Sequence, residues 1–201
     1  MAAALALPLA LAGIAAYLAL AVALRRRSVR SRGASLRREG GLAAILPLFV
    51  PVPYAVLVLR PGPELAVPEP LRWVGLALVA GGIGFAAWAA LTLGRHFDME
   101  VEVHAGHQVV DAGPYAVVRH PVYAGRAAHL LGAGLATGNA LRLAGTLLVA
   151  FPAFVARASL EERLLRAELG GAYDAYARRV GMLLPLLGRQ RSSRSGSLDL
   201  S

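Results

Sequence analysis

The sequence contains no cysteine, which excludes disulfides, thiolate metal sites and a cysteine nucleophile. It is also poor in charge: 16% of its 201 residues are charged, against about 25% in a typical soluble domain. The hydrophobic share is 57%, and the mean hydropathy is positive. Together these features indicate an integral membrane protein, and at this length one compact unit is expected.

The chain also lacks lysine, so its net charge of +9 comes from arginine as the only strongly basic residue type. The arginines gather at the ends of apolar runs, where positive charge determines the orientation of membrane helices. A nucleic-acid-binding domain would be expected to place them on one face. We therefore interpret the charge as a membrane signal and expect a lipid bilayer, not a nucleic acid, as the partner.

Three apolar runs in the first half of the chain predict membrane-spanning helices. Ala2 to Leu24 precedes a cluster of arginines, which indicates an anchor that starts outside rather than a signal peptide. Gly41 to Leu59 contains three prolines that predict a kink. Leu71 to Gly94 carries the sequence "GGIG" at Gly81 to Gly84. We interpret these glycines as a site of close helix packing, because a nucleotide-binding loop would need a preceding strand.

Two further apolar runs, Val122 to Thr137 and Ala140 to Ser159, are separated by "TGNA" and predict a tight helical hairpin. At about 1.5 Å per residue each arm is roughly 25–30 Å long, enough to cross most of a bilayer. A hairpin returns its far end to the face where it began. Arg119 and His120 at its entrance should therefore lie close to Arg157, Glu161 and Glu162 at its exit.

The fold class expected from these runs is all-α, a membrane bundle of about five transmembrane helices with a C-terminal amphipathic cytoplasmic helix. Residues 1–94 would hold three transmembrane helices, and residues 95–187 a catalytic core with a cytoplasmic polar loop and the hairpin. The amphipathic segment, Glu161 to Val180, is broken near Gly170 and Gly171. Residues 188–201 are polar and rich in serine, which predicts a disordered tail.

The tripeptide Arg119-His120-Pro121 marks the predicted start of the fourth span. Proline suits the first turn of a helix, and its ring pushes His120 towards extended geometry. The unpaired N–H groups of the new helix can hold an anion. The alternative is that Arg119 and His120 only mark the boundary between lipid and water, where long polar side chains are common.

The charged residues near the hairpin also have simpler explanations. Arg157 with Glu161, and Glu162 with Arg166, are spaced i, i+4 and could form ordinary helical ion pairs. Yet an ionisable residue at the end of a span, such as Arg157, is costly and often functional. Arg126 and His129 lie within the first arm, and we expect them to face the bundle interior. His104, His107 and the neighbouring acidic residues match no metal-ligand spacing, so no metal is expected.

The segment "GHQVVDAGPYAVVRHPVYAG", followed after the hairpin by "EERLLRAELGGAYDAYARRVGMLLP", resembles the isoprenylcysteine carboxyl methyltransferase family. The wider group includes phospholipid methyltransferases. The resemblance covers about Thr92 to Pro185, and its marks are an Arg-His-Pro, a hairpin and a Glu-Glu pair in that order. It implies a membrane methyltransferase that binds S-adenosylmethionine on the cytoplasmic side without a Rossmann domain.

By position, the resemblance also implies roles for individual residues. Catalytic roles fall on His120, Arg157 and Glu161, and Arg157 occupies the position that holds the substrate carboxylate in the carboxyl methyltransferases. Glu100 is a further candidate for the cofactor loop, whose neighbouring residues Ala105 and Gly106 depart from those of many relatives. The implied cofactor contacts are His107, Gln108, Val109, Val110, Tyr115, Arg119, His120, Pro121, Val122, Tyr123, Glu161 and Glu162.

The function expected from the whole sequence is S-adenosylmethionine-dependent methylation of a lipidic or small hydrophobic acceptor, with an isoprenylcysteine-type carboxylate favoured. The expected location is the prokaryotic inner membrane, with the site facing the cytoplasm. One alternative is an NADPH-dependent membrane reductase of the sterol-reductase type, although those chains are usually much longer. The other is a non-catalytic membrane protein that retains the fold.

Overall fold

The computed structural model describes residues 1–29, 35–38, 62–93, 102–104 and 109–185. Several sequence predictions fall outside these ranges. They are the second span at Gly41 to Leu59, the tail at 188–201, and the candidate cofactor residues Glu100, His107 and Gln108.

The described residues are mostly helical, as predicted. A π-helical turn, Thr146–Ala150, joins the helices Ala140–Gly145 and Phe151–Leu169 into one continuous segment. The sequence did not predict a small antiparallel pairing of two strands, in which Ser35 lies opposite His104 and Arg38 opposite Glu102. In chain order the elements are α1 (Ala2–Val29), β1 (Ser35–Arg38), α2 (Glu69–Leu93), β2 (Glu102–His104), a 3-10 turn (Gly113–Ala116), α3 (Pro121–Thr137), α4 (Ala140–Gly145), α5 (Phe151–Leu169) and α6 (Gly171–Arg179).

Two helical segments among the described residues are long and apolar enough to cross a membrane. They are α2, with a mean hydropathy of 2.0, and the continuous segment Ala140–Leu169, with a mean hydropathy of 1.7. At about 1.5 Å per residue, both exceed the roughly 30 Å of a bilayer core. Helix α1 contains the apolar run that was predicted as the first span.

Helices α2 and α3 pack closely because glycines face each other at two levels, one heptad apart. A Cβ atom at Gly82 would lie 2.5 Å from the Gly125 carbonyl oxygen, and one at Gly132 would lie 2.5 Å from that of Gly75. Only residues without a side chain permit such an approach between helix backbones. The packing role predicted for "GGIG" is therefore confirmed at Gly82, and this contact fixes α3, whose first residues carry the candidate site.

The hairpin turn between α3 and α4 is as tight as predicted. Gly138 has a φ of +66°, in the left-handed region that favours glycine at a helix end. Asn139 then caps α4, accepting a hydrogen bond from the Arg142 backbone N–H at 3.0 Å. The segment before α2 closes over this turn, because the Leu65 N–H donates to the Gly138 carbonyl at 2.7 Å. The far end of the hairpin is thereby fixed, and its open end brings α3 and α5 together.

Candidate active site

The open end of the hairpin brings together the charged residues that the sequence places about forty positions apart. The Arg119 guanidinium contacts the Glu162 carboxylate at 2.7 Å from Nε and at 2.7 Å from Nη2. The His120 ring lies between two carboxylates, with Nδ1 3.4 Å from Glu161 and Nε2 3.3 Å from Glu162. The prediction that these two stretches meet is confirmed.

Glu161 is the centre of a cluster that joins α3 to α5. The Tyr123 hydroxyl donates to Oε1 of Glu161 and accepts a hydrogen bond from Arg157 Nε at 2.7 Å. Arg157 Nε also lies 3.3 Å from Glu161 Oε1, so the local i, i+4 pair forms as well. The Glu161 side chain remains 24% exposed, whereas that of Glu162 is 2% exposed. Glu161 is therefore the carboxylate of the pair that a ligand can reach.

Aromatic rings stack along the inner face of α3, from the membrane boundary inwards. The His120 and Tyr123 rings lie 5.9 Å apart at 16°, and the Tyr123 and Phe154 rings lie 5.7 Å apart at 10°. The Arg126 guanidinium carbon lies 5.4 Å from the centre of the Phe154 ring. A cation on an aromatic face is stabilised by the ring quadrupole, which reduces the cost of a charge within a span.

The start of α3 is shaped by Pro121, which occupies the first helical position as predicted. No side chain among the described residues caps this helix. The first i to i+4 bond of the helix runs from the Ala124 N–H to the His120 carbonyl at 3.0 Å. The backbone N–H groups of Val122 and Tyr123 precede that bond, so the N-terminus keeps its capacity to hold an anion.

The residues before Pro121 pair with a short segment that follows α6. The Arg119 N–H donates to the Gly181 carbonyl at 2.7 Å, and the His120 N–H donates to the Met182 carbonyl at 3.0 Å. Val118 and Gly181 form a parallel bridge beside them. These bonds fix the backbone of His120 at φ −122° and ψ +65°, which lies outside both the helical and the extended regions. The extended geometry predicted for His120 from its place before a proline is therefore wrong, although the residue does lie outside the helix.

Burial and charge act on His120 in opposite directions. Desolvation lowers its pKa, but hydrogen bonds and Coulombic attraction from Glu161 and Glu162 outweigh that effect and raise the pKa above its usual value. Burial also raises the pKa values of Tyr173 and Tyr176 in α6, which stay neutral. The site therefore favours a protonated imidazole between two ionised carboxylates.

Not every predicted cofactor residue turns towards this cluster. Val122 packs against α2, beside Ala86 and Ala90. Val109 packs against α6, and Val110 is half-buried next to it. Tyr115 is buried, and its carbonyl accepts a hydrogen bond from the Tyr176 hydroxyl at 2.7 Å.

Sequence reasoning did not assign a role to the C-terminal partners of the site. Tyr173 and Tyr176 are each 3% exposed and pack with Val180 beneath the segment that leads to Arg119. Phe154 completes the aromatic stack from α5. The two tyrosines lie within the segment that carries the family resemblance, but the contact of Phe154 with Tyr123 depends on how the hairpin closes. Periodicity within one helix does not encode that contact.

His129 lies in the bundle interior, as expected for an ionisable residue within the first arm. It is 1% exposed, and its Nδ1 is 3.2 Å from the Val79 carbonyl oxygen of α2. Across the part of the chain that the structure describes, no group of three His, Asp or Glu residues is placed to hold a metal ion.

Comparison with known proteins places the chain in a family. The family model described as phospholipid methyltransferase matches residues 71–171, half of the chain, and covers α2, the hairpin and the Glu-Glu pair. The chain belongs to the phospholipid methyltransferase family. It is a membrane methyltransferase, which decides against the reductase alternative.

Three proteins similar to this chain come from plants. Probable protein-S-isoprenylcysteine O-methyltransferases of Oryza sativa subsp. indica and subsp. japonica are each 29% identical over 164 residues, which cover 81% of this chain and 84% of the relative. Protein-S-isoprenylcysteine O-methyltransferase B of Arabidopsis thaliana is 28% identical over 115 residues, covering 56% of this chain and 58% of the relative.

A solved structure has the same fold. It is the eukaryotic intramembrane Ras methyltransferase ICMT, an isoprenylcysteine carboxyl methyltransferase, with a TM-score of 0.55 and 24% sequence identity. The match covers 75% of this chain and 55% of that one, so this protein spans little more than half the length of the solved structure. The likeness shows a shared fold, and the two membrane-length segments, α2 and Ala140–Leu169, agree with it.

Proposed function

We propose that this methyltransferase uses S-adenosylmethionine to methylate the carboxylate of a lipidic acceptor of the isoprenylcysteine type. The observation that carries the proposal is the cluster of Glu161 with His120, Tyr123 and Arg157, at the mouth of a membrane hairpin. The names of the plant relatives support the acceptor class. When bound, S-adenosylmethionine supplies an electrophilic methyl group on a sulfonium ion.

The chemistry of the residues present fits this cofactor. Its amino group and ribose hydroxyls are donors, and the partly exposed carboxylate of Glu161 is an acceptor for them. Its carboxylate suits the N-terminus of α3, where no side chain of the described residues serves as a cap. His120 and Tyr123 line the same boundary with polar atoms and ring faces. His107 and Gln108 stay within the proposal but lie outside the described residues.

Arg157 is proposed to orient the acceptor. A carboxylate is ionised at neutral pH and needs no base, so its methylation depends on alignment and on removal of water. The Arg157 guanidinium is fixed by Tyr123 and Glu161 through Nε, and its planar fork matches a carboxylate. An acceptor that must lose a proton, such as a thiol or an amine, would require a base. His120 was the sequence candidate for that role, but Glu161 and Glu162 raise its pKa and favour its protonated form, which cannot accept a proton, so the site suits a carboxylate acceptor better.

The surface of the hairpin supports entry of the acceptor from the lipid. Leu147, Leu148 and Val149 in the π-helical turn are 55%, 76% and 42% exposed, and Phe151 follows at 37%. A prenyl chain is apolar and gains little from leaving the bilayer, so an acceptor can approach this face within the membrane. The finer membrane assignments are part of the proposal too: five spans, a catalytic core over residues 95–187, a prokaryotic inner membrane and a site facing the cytoplasm.

The proposal is tested by methyl transfer in purified, lipid-reconstituted protein. Radiolabelled S-adenosylmethionine is incubated with one of three acceptors. The first is N-acetyl-S-farnesylcysteine, the second is the amide of that compound, which has no free carboxylate, and the third is phosphatidylethanolamine. We expect label in a base-labile ester of the first compound and none in the amide. Label only in phosphatidylethanolamine would replace the carboxylate acceptor with an amine, and no label in any acceptor would refute the proposed function.

The role of Arg157 is tested in the same assay. Arg157→Ala should raise the KM for the acceptor by about tenfold or more while leaving the cofactor affinity within about twofold. Arg163→Ala, an exposed arginine on the same helix, is the matched control and should behave like the wild type. Equal losses in acceptor and cofactor binding would contradict the assignment.

A further inference from the structure

The two adjacent glutamates have different surroundings. Glu161 is partly exposed and contacts His120, Tyr123 and Arg157. Glu162 is 2% exposed and is enclosed by cations: its Oε1 meets Arg119, and its Oε2 meets Arg166 at 2.8 Å. A carboxylate with two arginines and an imidazole around it has little acceptor capacity left for a ligand.

Arg119 is equally occupied. Its Nε and Nη2 bind Glu162, and its Nη1 donates to the carbonyl oxygens of Ala177, at 3.0 Å, and Val180. These carbonyls belong to the C-terminal end of α6, where helix carbonyls lack intrahelical partners and attract a cation. Four of the five donors of the guanidinium are therefore directed at the protein itself.

The segment that follows α6 binds the backbone of Arg119 and His120. The backbone N–H groups of Arg119 and His120 donate to Gly181 and Met182. On α6, the Tyr176 hydroxyl donates to the Tyr115 carbonyl at 2.7 Å. Helix α6 and the residues after it thus form a support behind His120, joined to it through Arg119.

We propose that Arg119 and Glu162 are a positioning pair that holds the His120 ring and docks α6, whereas Glu161 is the carboxylate that meets the ligand. This inference rests on the proposed function. It changes the expectation from the sequence, which placed Arg119 and Glu162 among the cofactor contacts.

The positioning role follows from the contacts of the His120 ring. Among the described residues, Glu162 is the only polar side chain that contacts its Nε2. That atom lies 3.3 Å from Glu162, and Glu162 is itself held in place by Arg119. The charged and titratable groups facing the imidazole are Glu161 and Glu162 from α5 and Tyr123 from α3. A group held from behind in this way keeps one orientation, and ligand binding then costs less ordering entropy.

The test compares two ligands that differ only in the carboxylate. The affinities of S-adenosylmethionine and its decarboxylated form are measured for the wild type, Arg119→Lys and Glu162→Gln. A positioning pair predicts that each substitution weakens both ligands by the same factor, about tenfold. If Arg119 holds the cofactor carboxylate instead, Arg119→Lys will weaken only S-adenosylmethionine, and that result would overturn the inference.

A second readout separates positioning from a general loss of stability. Glu162→Gln removes one of the two carboxylates facing His120, so the pH dependence of cofactor affinity should move to lower pH. Tyr176→Phe loosens α6 without altering charge near His120, and should lower the thermal midpoint while leaving that pH profile in place. An unmoved profile in Glu162→Gln would contradict the inference.

The experiment also distinguishes failure of this inference from failure of the proposed function. If the wild type binds neither ligand, the S-adenosylmethionine assignment fails and the positioning pair fails with it. If the wild type binds both ligands and Glu162→Gln weakens neither, the proposed function stands and the positioning role is wrong.

Discussion

Identical side chains next to each other in the chain acquire different roles from their neighbours. Glu161 and Glu162 differ by about 100° in direction around α5, since a helix turns by that angle at each residue. One carboxylate therefore reaches Tyr123 and Arg157, while the other reaches Arg119 and Arg166. The two i, i+4 pairs were visible in the sequence, and the approach of Arg119 and His120 to both glutamates was predicted, but which glutamate each long-range partner contacts was not. Those partners depend on the closure of the hairpin.

At the residue scale, His120 predicts a pH dependence of stability. Its folded-state pKa is raised by Glu161 and Glu162, despite burial. A raised pKa means that the stabilising contribution is fully present below the unfolded value, near 6.5, and is lost as the pH rises through the folded pKa. We expect the thermal midpoint of the purified protein to decrease as the pH is raised from 6 to 8.

The matched variant for this prediction is His120→Gln, which cannot gain a charge. Its thermal midpoint should be lower at pH 6 and should change less over the same interval. A wild type whose midpoint is constant or rises with pH would contradict an imidazole held between two ionised carboxylates.

At the scale of elements, the hairpin and its turn could be predicted because local signals specify them. Two apolar runs, a glycine followed by a capping asparagine, and a proline at the start of α3 are each read from a few neighbouring residues. The pairing of Arg119 and His120 with Gly181 and Met182 could not be predicted. The segment is short, its bonds use backbone atoms, and it lies about sixty positions from its partner.

The packing of α2 on α3 gives a prediction within the "GGIG" sequence. Gly82→Ala would place a Cβ atom 2.5 Å from the Gly125 carbonyl oxygen, so the helices must separate. We expect a loss of about 1–3 kcal/mol in the free energy of unfolding, by analogy with overpacked cores. The loss should appear as a lower thermal midpoint in detergent.

Two neighbouring glycines provide the controls. A Cβ atom at Gly81 or at Gly84 meets nothing within 4 Å among the described residues. Gly81→Ala and Gly84→Ala should therefore be neutral or slightly stabilising, because alanine favours the helix. If all three variants behaved alike, close approach at Gly82 would not be what joins α2 to α3.

At the scale of the whole molecule, the proposed orientation places the open end of the hairpin, which carries the candidate site, on the cytoplasmic side. The absence of cysteine makes this directly testable with single-cysteine variants. In intact bacterial cells, an impermeant maleimide should label Glu64→Cys, which lies before α2 near the hairpin turn. Ala116→Cys and Arg163→Cys, both exposed near the site, should react only after the membrane is opened.

This experiment also separates the fold from its orientation. If Ala116→Cys and Arg163→Cys are labelled in intact cells while Glu64→Cys is not, the site faces outwards and the cytoplasmic assignment is wrong. If Ala116→Cys and Arg163→Cys react from opposite sides, the hairpin itself is contradicted.

The central claim is that residues brought together by a membrane hairpin bind S-adenosylmethionine through Glu161. The most direct test is the equilibrium affinity of S-adenosylmethionine, measured by titration calorimetry, for the wild type, Glu161→Gln and Glu168→Gln. Glu168 lies on the same helix and is exposed. We predict that Glu161→Gln weakens binding by about tenfold or more, while Glu168→Gln matches the wild type. Equal affinities in all three proteins, or no binding by the wild type, would contradict the claim.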